Sequence, residues 1–319
     1  MYTLSDFDFA LPKELIAQPP LPDPSASRLL VIDRATGELR HQHLRDLPDL
    51  IPPEDVLVNN TSRVLPARMR GTGDGGGEVE VMVVMESHDR TWLAMTTPEL
   101  APGRRVTFGE GSAVEIVAAD ESVLRSVRFV GALTADAAID KYGHMRLPPS
   151  LQRPTDPTDL GLTADMFLQL FSRRVRIAPV FLHLGPETFA PVTTEDLGAH
   201  VLQAEPYDID GRVAERINRA KQARRGVWCV GTPAVRALES AVDNNGRVRG
   251  EGGETSLFIR PPFTFRVADR LITHLHKPRS TLLMLACAFG GHERVMEAIR
   301  EAVREGYRFY NHGDAMAIL

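Results

Sequence analysis

Gly71-Thr-Gly-Asp-Gly-Gly-Gly77, running straight into Glu78-Val-Glu-Val-Met-Val-Val-Met85, is the stretch on which the fold turns. By letters, Gly71, Gly73 and Gly76 spell the glycine fingerprint of a dinucleotide-binding fold. That fingerprint requires a strand before it and a helix after it, because the helix N-terminus holds the pyrophosphate. Here the following residues alternate Val with Glu and are rich in β-branched side chains, which is strand chemistry. The glycines therefore read as the turn of a hairpin. Further short strand-like runs follow at Thr91 to Thr96, Arg105 to Phe108, Ala113 to Val117 and Val123 to Val130, separated by Gly, Asp and Ser. Short strands at close spacing imply a small antiparallel barrel or sandwich. Downstream, the Pro-rich segment Leu147 to Pro157 reads as a linker. The expectation is one all-β unit over 64–146, inserted into a domain made of 1–63 and 147–319.

Working outward, the flanking sequence mixes helices with strands. Helical periodicity covers Glu195 to Ala199, Gly211 to Arg224, Thr232 to Val242, Arg279 to Phe289 and Glu293 to Arg304. Strands fit Ile177 to His183, Gly226 to Val230, Ser256 to Ile259 and Leu271 to Leu275. Such alternation implies an α/β core.

A chain of 319 residues usually exceeds one hydrophobic core, which agrees with two domains. Its 37 Lys+Arg against 42 Asp+Glu give a net charge of -5, which excludes a strongly basic nucleic-acid binder. A local basic face stays open, and the arginine-rich helix Arg212 to Arg225 is a candidate for one. Only Lys13, Lys141, Lys221 and Lys277 are lysines, so the arginine excess is chain-wide and reads as codon composition. Two cysteines, Cys229 and Cys287, make no disulfide framework and no Cys-x-x-Cys pair. Met1 to Pro20 lacks the apolar run of a signal peptide, and Leu282 to Phe289 is too short to span a bilayer. A soluble, reduced, cytoplasmic protein with no membrane partner is expected.

Several segments bear on chemistry. His274-Leu-His276 puts two imidazoles on one face of a strand, but no third ligand follows at a useful spacing, so no metal is expected. Pro278 then ends the strand and Ser280 suits the N-cap of an apolar helix. A strand end meeting a helix N-terminus beside Arg279 reads either as an anion-friendly corner or as a structural turn. Val230-Gly-Thr232-Pro233 is a second such corner, with Thr232 as cap and Pro233 in the first turn. Arg236 and Glu239, at i and i+3 beyond it, read as a surface pair. Arg63 and Arg68 either line a cleft between domains or are solvated hinge residues. His183 lies in an apolar strand and by itself reads as a core histidine. Tyr307 to Met316, with Asp314 as a potential acid, reads as a docked tail.

Together these segments resemble one family, the S-adenosylmethionine:tRNA ribosyltransferase-isomerases of queuosine biosynthesis. The resemblance runs from Phe7-Asp-Phe-Ala-Leu-Pro12 and Ser27-Arg-Leu-Leu-Val31 through Asn60-Thr-Ser-Arg-Val-Leu-Pro-Ala-Arg68 and Gly143-His-Met-Arg-Leu-Pro-Pro149. It continues at Val230-Gly-Thr-Pro-Ala-Val-Arg-Ala-Leu-Glu-Ser240, Phe258-Ile-Arg-Pro261, Leu271 to Met284 and Tyr307 to Met316. The resemblance implies an α/β core domain with an inserted antiparallel β-barrel. It implies an enzyme that transfers and rearranges the ribosyl part of S-adenosylmethionine, its co-substrate, onto a 7-deazaguanine at the tRNA wobble position. Adenine and methionine leave. The sulfonium acidifies the neighbouring 5′ carbon, so a protein base suffices without a metal.

The chain departs from that family's pattern at polar positions. After the linker a block containing a histidine is missing, leaving only Gly161-Leu162. Gly185-Pro-Glu-Thr-Phe189 carries Glu187 in place of a glycine. His200-Val-Leu-Gln-Ala-Glu205 carries Val201 for a basic residue and Gln203 for a second histidine, and Thr273-His-Leu-His-Lys-Pro278 is altered too. Loss of polar groups on a retained scaffold points to changed chemistry, since fold does not fix function. The expectation is an S-adenosylmethionine-using transferase acting on a non-tRNA acceptor, a small molecule or water. A tRNA-modifying enzyme reading the anticodon loop and an S-adenosylmethionine-binding paralogue without catalysis are the alternatives. The site residues expected are His183, Glu205 and His276 as acid–base groups, with Arg63, Arg68, Thr232, Arg236, Arg279 and Ser280 on substrate. Within that set, Arg279 and the helix end at Ser280 are placed on the methionine carboxylate.

Overall fold

The computed structural model describes the chain apart from residues 1, 18–20, 61–67, 87–90, 120–124, 145–159, 161, 186–187 and 189–190. It falls into two compact units, one of Met1–Ser62 with Pro157–Leu319 and one of Arg63–Asp156.

The second unit is a closed six-stranded antiparallel barrel. Its strands are β4 (Arg68–Gly73), β5 (Glu78–Glu86), β6 (Trp92–Thr97), β7 (Arg105–Gly109), β8 (Ser112–Ala119) and β9 (Arg125–Val130). They pair in the order β4-β5-β6-β9-β8-β7, and β4 closes back on β7 through Thr72↔Thr107 and Gly73↔Val106. Closure removes the open edges that a six-stranded sheet would expose. The glycine run is the β4–β5 hairpin turn, with the Gly73 N–H donating to Gly77 and the Gly76 N–H to Gly73. Met69, Val79, Val81, Val83, Trp92, Val106, Val114, Ile116 and Val127 fill the interior. Alternate positions of each strand thus point inward.

The first unit is built on a nine-stranded mixed sheet. Its strands are β1 (Arg28–Ile32), β2 (Leu39–His43), β3 (Val56–Asn60), β11 (Arg176–Leu182), β12 (Glu205–Asp208), β13 (Val227–Val230), β14 (Gly252–Thr255), β15 (Arg270–His274) and β16 (Ala315–Ile318). β10 (Gly143–His144) adds to β4 in the barrel. The order is β14-β12-β11-β3-β13-β15-β16-β1-β2, with β11, β3, β13 and β15 mutually parallel. Side chains alternate between the faces. Val56, Val58, Cys229 and Leu271 join the larger core, with α4 (Gly211–Gln222), α5 (Thr232–Ser240), α6 (Thr281–Gly290) and α7 (His292–Arg304) packed over it. Leu57, Trp228, Val230 and Ile272 join the other core, under α1 (Leu47–Leu50) and α3 (Ala164–Ser172). The short α2 (Ala135–Tyr142) lies in the barrel unit. Among the described residues no helix is long and apolar enough to cross a membrane.

Four expectations need correction. Tyr307 to Met316 is no tail laid on the surface, because Ala315–Ile318 forms β16 between β15 and β1. The acid singled out there, Asp314, is buried and accepts the backbone N–H groups of Arg28 (2.9 Å) and Arg308 (2.8 Å), which fixes β1 to the entry of β16. Glu195 to Ala199 is a turn, since the Asp196 carboxylate caps the Gly198 N–H at 2.8 Å and offers the backbone an alternative to helix. Ser256 to Ile259 is irregular, and the strand lies just before it. There Thr255, Glu254, Gly253 and Gly252 pair with Glu205, Pro206, Tyr207 and Asp208, so register overrides the apolar pattern.

Candidate active site

In an open α/β sheet, ligands bind outside the carboxyl ends of the parallel strands. In the first unit those ends carry Asn59 and Asn60 of β3, Leu182 followed by His183 after β11, Val230 followed by Gly231 after β13, and His274 of β15. α5 and α6 start at the same edge. α5 is capped by Gly231, whose φ of 81° is left-handed and favours glycine, so Thr232 is the first helical residue rather than the cap. Thr232 is buried. At α6, Ser280 is the N-cap as its sequence implies, accepting from the Leu283 N–H at 3.2 Å.

One face of this edge is a closed polar network. Glu205, buried at the start of β12, accepts from the Gly185 N–H (2.5 Å) and the Thr188 hydroxyl (2.6 Å) with one oxygen. Its other oxygen is paired with Arg236 of α5, also buried. The Arg236 Nε donates to the Leu257 carbonyl at 3.1 Å, while Nη2 is buried with no hydrogen-bond partner among the described residues. Arg236 and Glu239 are therefore not a surface pair. Glu239 is buried and accepts from the N–H groups of Arg266, Val267 and Ala268 at 2.9–3.0 Å. One helix-spaced pair thus serves two separate networks. Farther along the edge, Thr273 Oγ1 and His276 Nε2 share a hydrogen bond of 2.9 Å.

The opposite face is less committed. Strand alternation puts Asn59 with Leu57, and His274 with Ile272, on the side of the second core. Asn59 Oδ1 is buried with no hydrogen-bond partner among the described residues. His183 is exposed, so it is not a core histidine: it shares parity with exposed Phe181, while Leu182 between them points into the larger core.

Electrostatics separate these groups further. Burial lowers the pKa of His276 to about 3 and that of His274 to about 4; neighbouring imidazoles add to both shifts. Both rings are therefore neutral at physiological pH, and His276 is a weak base that serves as a hydrogen-bonding group. Glu205 has its oxygens occupied by Arg236, Gly185 and Thr188, which makes it a positioning group rather than a free base. Burial also lowers the pKa of Lys277, whose Nζ sits 3.8 Å from the centre of the Tyr310 ring.

The remaining expected residues lie elsewhere. Arg279 is exposed and its guanidinium is held by Asp8 at 2.7–2.8 Å, and the Ser280 hydroxyl is used by the cap and the Lys277 carbonyl, so neither is free for a carboxylate. Arg68 belongs to β4 of the barrel, its backbone opposite Met82 and His144. Arg63, Glu187 and most of the shortened stretch 156–163 lie outside the described residues. His200 packs edge-on against Phe258, while Val201 is 77% exposed and Gln203 is half-buried. Sequence reasoning missed Thr188 and Thr273; Asn59 opens the polar run before Arg63 that reads as cleft-lining, without a role of its own. Among the described residues no three His, Cys, Asp or Glu side chains are gathered as for a metal ion.

Parallel strands with a polar carboxyl edge, interrupted in sequence by a small closed barrel, define an α/β enzyme with an inserted antiparallel β-barrel. The family profile described as "Queuosine biosynthesis protein" matches residues 4–318, and the chain belongs to that family of transferase/isomerase enzymes. An S-adenosylmethionine:tRNA ribosyltransferase-isomerase from Thermus thermophilus is 43% identical over 350 aligned positions, covering 100% of both chains. One from Syntrophotalea carbinolica is 38% identical over 341 positions, covering 99% of each. Both alignments are longer than this chain, so these relatives carry residues with no counterpart here. The crystal structure of an S-adenosylmethionine tRNA ribosyltransferase from Thermotoga maritima matches with a TM-score of 0.61 at 31% identity, over 98% of this chain and 100% of that one.

Proposed function

We propose that this chain transfers the ribosyl group of S-adenosylmethionine to tRNA and isomerises it, with the donor held at the carboxyl edge of the nine-stranded sheet. The observation that carries this reading is the nearly end-to-end match to relatives named for that reaction. The expectation of a smaller acceptor draws no support from those names and rests on the shortened stretch after the linker and on the altered polar positions at Glu187, Val201, Gln203 and 273–278.

At the edge, Arg236 is already neutralised by Glu205 and keeps one buried donor, which suits an uncharged acceptor such as a purine nitrogen or a ribose oxygen. Asn59 Oδ1 offers the complementary acceptor. His183 is the exposed imidazole at this edge and is assigned the proton taken from the carbon next to the sulfonium. The carbanion pair closes a double bond to C4′ as the C4′–O4′ bond breaks, and the ring oxygen becomes a carbonyl at C1′ as adenine leaves with the glycosidic electron pair and takes up a proton, the sulfonium staying in place. Neutral His276, fixed by Thr273, orients substrate without adding charge.

The test is incubation with S-adenosylmethionine, with and without tRNA bearing the aminomethyl-deazaguanine. Adenine and methionine release that depends on tRNA, with ribosyl label entering the tRNA, is the expected result. Release without tRNA and without label transfer would replace this reading with a small-molecule acceptor. Binding of S-adenosylmethionine without release would leave a silent paralogue.

A further inference from the structure

We propose that the outer face of α4, together with the turns preceding β11 and β13, is a docking surface for the phosphate backbone of RNA. The inference rests on tRNA being the acceptor and goes beyond it by naming where the body of that RNA is held.

Residues 211–225 carry Arg212, Arg216, Arg219, Lys221, Arg224 and Arg225 against one acid, Glu215, in a chain of net charge -5. Such concentration is a charge asymmetry rather than the chain-wide arginine excess. The helix is amphipathic: Val213, Ala214, Ile217, Asn218 and Ala220 are buried, while Arg212, Arg216 and Arg219 (i, i+4, i+7) are exposed. With exposed Arg176 of β11 they line a shallow concavity, completed by Gly211 and Glu215.

Part of the basic set is already matched. Lys221 pairs with Asp269, Arg219 with Glu215, Arg225 with Glu54 and, nearby, Arg173 with Asp49. Arg174, Arg176, Arg212, Arg216 and Arg224 have no ion pair among the described residues. The Arg216 guanidinium donates to the Ile177 carbonyl, which holds it along the strand.

A second observation is independent of charge. α3, α4 and α7 end in the same hydrogen-bond pattern, in which a left-handed residue is followed by an N–H returning to the last turn. At α7 the left-handed position is Gly306 (φ 67°), the residue that conformation favours. At α3 and α4 it is Arg174 (φ 64°) and Arg224 (φ 56°), both exposed. Arginine thus stands where the backbone prefers glycine at two turns that open onto one end of the sheet, and strain of this kind collects at functional sites. Register places these turns close together: Arg176 and Val227 both lie opposite Val56, two strand spacings or about 10 Å apart.

Phosphate is the ligand this array fits, because the planar guanidinium fork binds its oxygens in pairs. α4 starts just after β12, whose first residue is Glu205. β12 runs antiparallel to β11, away from the carboxyl edge, and the concavity gathers around Arg176 at the start of β11, so an RNA with one base at the carboxyl edge would hold its backbone here after crossing the length of β11.

The experiment measures tRNA binding to the full chain against salt, for wild type and for Arg176→Gln/Arg212→Gln/Arg224→Gln. The expected result is a slope of log affinity against log salt shallower by about three, close to one per phosphate contact removed. Calorimetric binding of S-adenosylmethionine by the variant should be unchanged, which reports an intact fold. Arg294→Gln/Arg300→Gln on exposed α7 positions is the charge control and should lose far less. An unchanged slope in the triple variant, an equal loss in the control, or wild-type binding to anionic phospholipid vesicles but not tRNA would overturn the surface. If wild type binds no tRNA although it releases adenine from S-adenosylmethionine, the acceptor reading itself has failed.

Discussion

The two faces of the sheet's carboxyl edge are built from similar residue types and do different things. On the α5 side, Glu205, Arg236 and Thr188 satisfy one another in a dry, nearly complete network. On the other side, His183 is exposed and Asn59 keeps a buried oxygen without a partner among the described residues. Closed polar networks hold geometry, whereas groups left open have capacity for substrate. On the reading proposed above, the closed face keeps shape and offers substrate only the spare Arg236 donor and the fixed His276 ring, while the open face carries the proton transfer.

The largest effect should come from breaking the closed face. Glu205→Ala strands the buried Arg236 charge and is expected to cost about 3–5 kcal/mol, read as a fall in the chemical denaturation midpoint. An unchanged midpoint would mean that water already reaches this pair. Acid comes next. His274 and His276 have folded-state pKa values of about 4 and about 3, below the ordinary 6.5, so the unfolded chain takes up protons that the folded chain refuses. Stability should be full above about pH 6.5 and fall as pH drops toward 4, by about 1.4 kcal/mol per pH unit for each histidine. His276→Gln should flatten that slope by one histidine's share; a slope identical to wild type breaks the assignment. Glu239→Gln, which keeps shape but weakens the acceptor for the 266–268 amides, should cost about 1–3 kcal/mol in the same assay. On the open face, His183→Ala should change stability by no more than about 0.5 kcal/mol while lowering turnover by about 10²–10⁴. Full turnover in that variant would erase the division between the faces.

The barrel was legible because its information is local: alternating runs and a glycine turn define hairpins within a few residues. Of the core strands, β11, β13 and β15 were legible for the same reason, as were α4, α5, α6 and α7; β1, β2, β3, β12 and β16 were not named as strands. The site was readable in part. Glu205 and Arg236 were recognisable as important, yet their pairing spans 31 positions, and no local period shows that α5 will meet the start of β12. Glu239 failed at i+3 for a related reason. Helix spacing makes a surface pair available, but the two side chains found stronger partners in the core. His183 was misread because a single apolar neighbour on each side hides strand parity, which only the burial of Leu182 settles. The Asp8 contact that occupies Arg279 joins residues 271 positions apart and leaves no trace in spacing.

One consequence of β16 concerns the order in which the molecule can assemble. Ala315–Ile318 is the strand that joins β15 to β1, linking residues near 30 with residues near 270. As the polypeptide leaves the ribosome, the β1–β2 hairpin emerges first, yet its inner edge has no neighbour until residue 318 is free. Contacts so distant in sequence delay folding and leave an unpaired strand open to misassociation in the interval. For this chain, vectorial synthesis and sheet completion are opposed, and chaperone protection of the β1 edge during translation should raise the yield of folded protein.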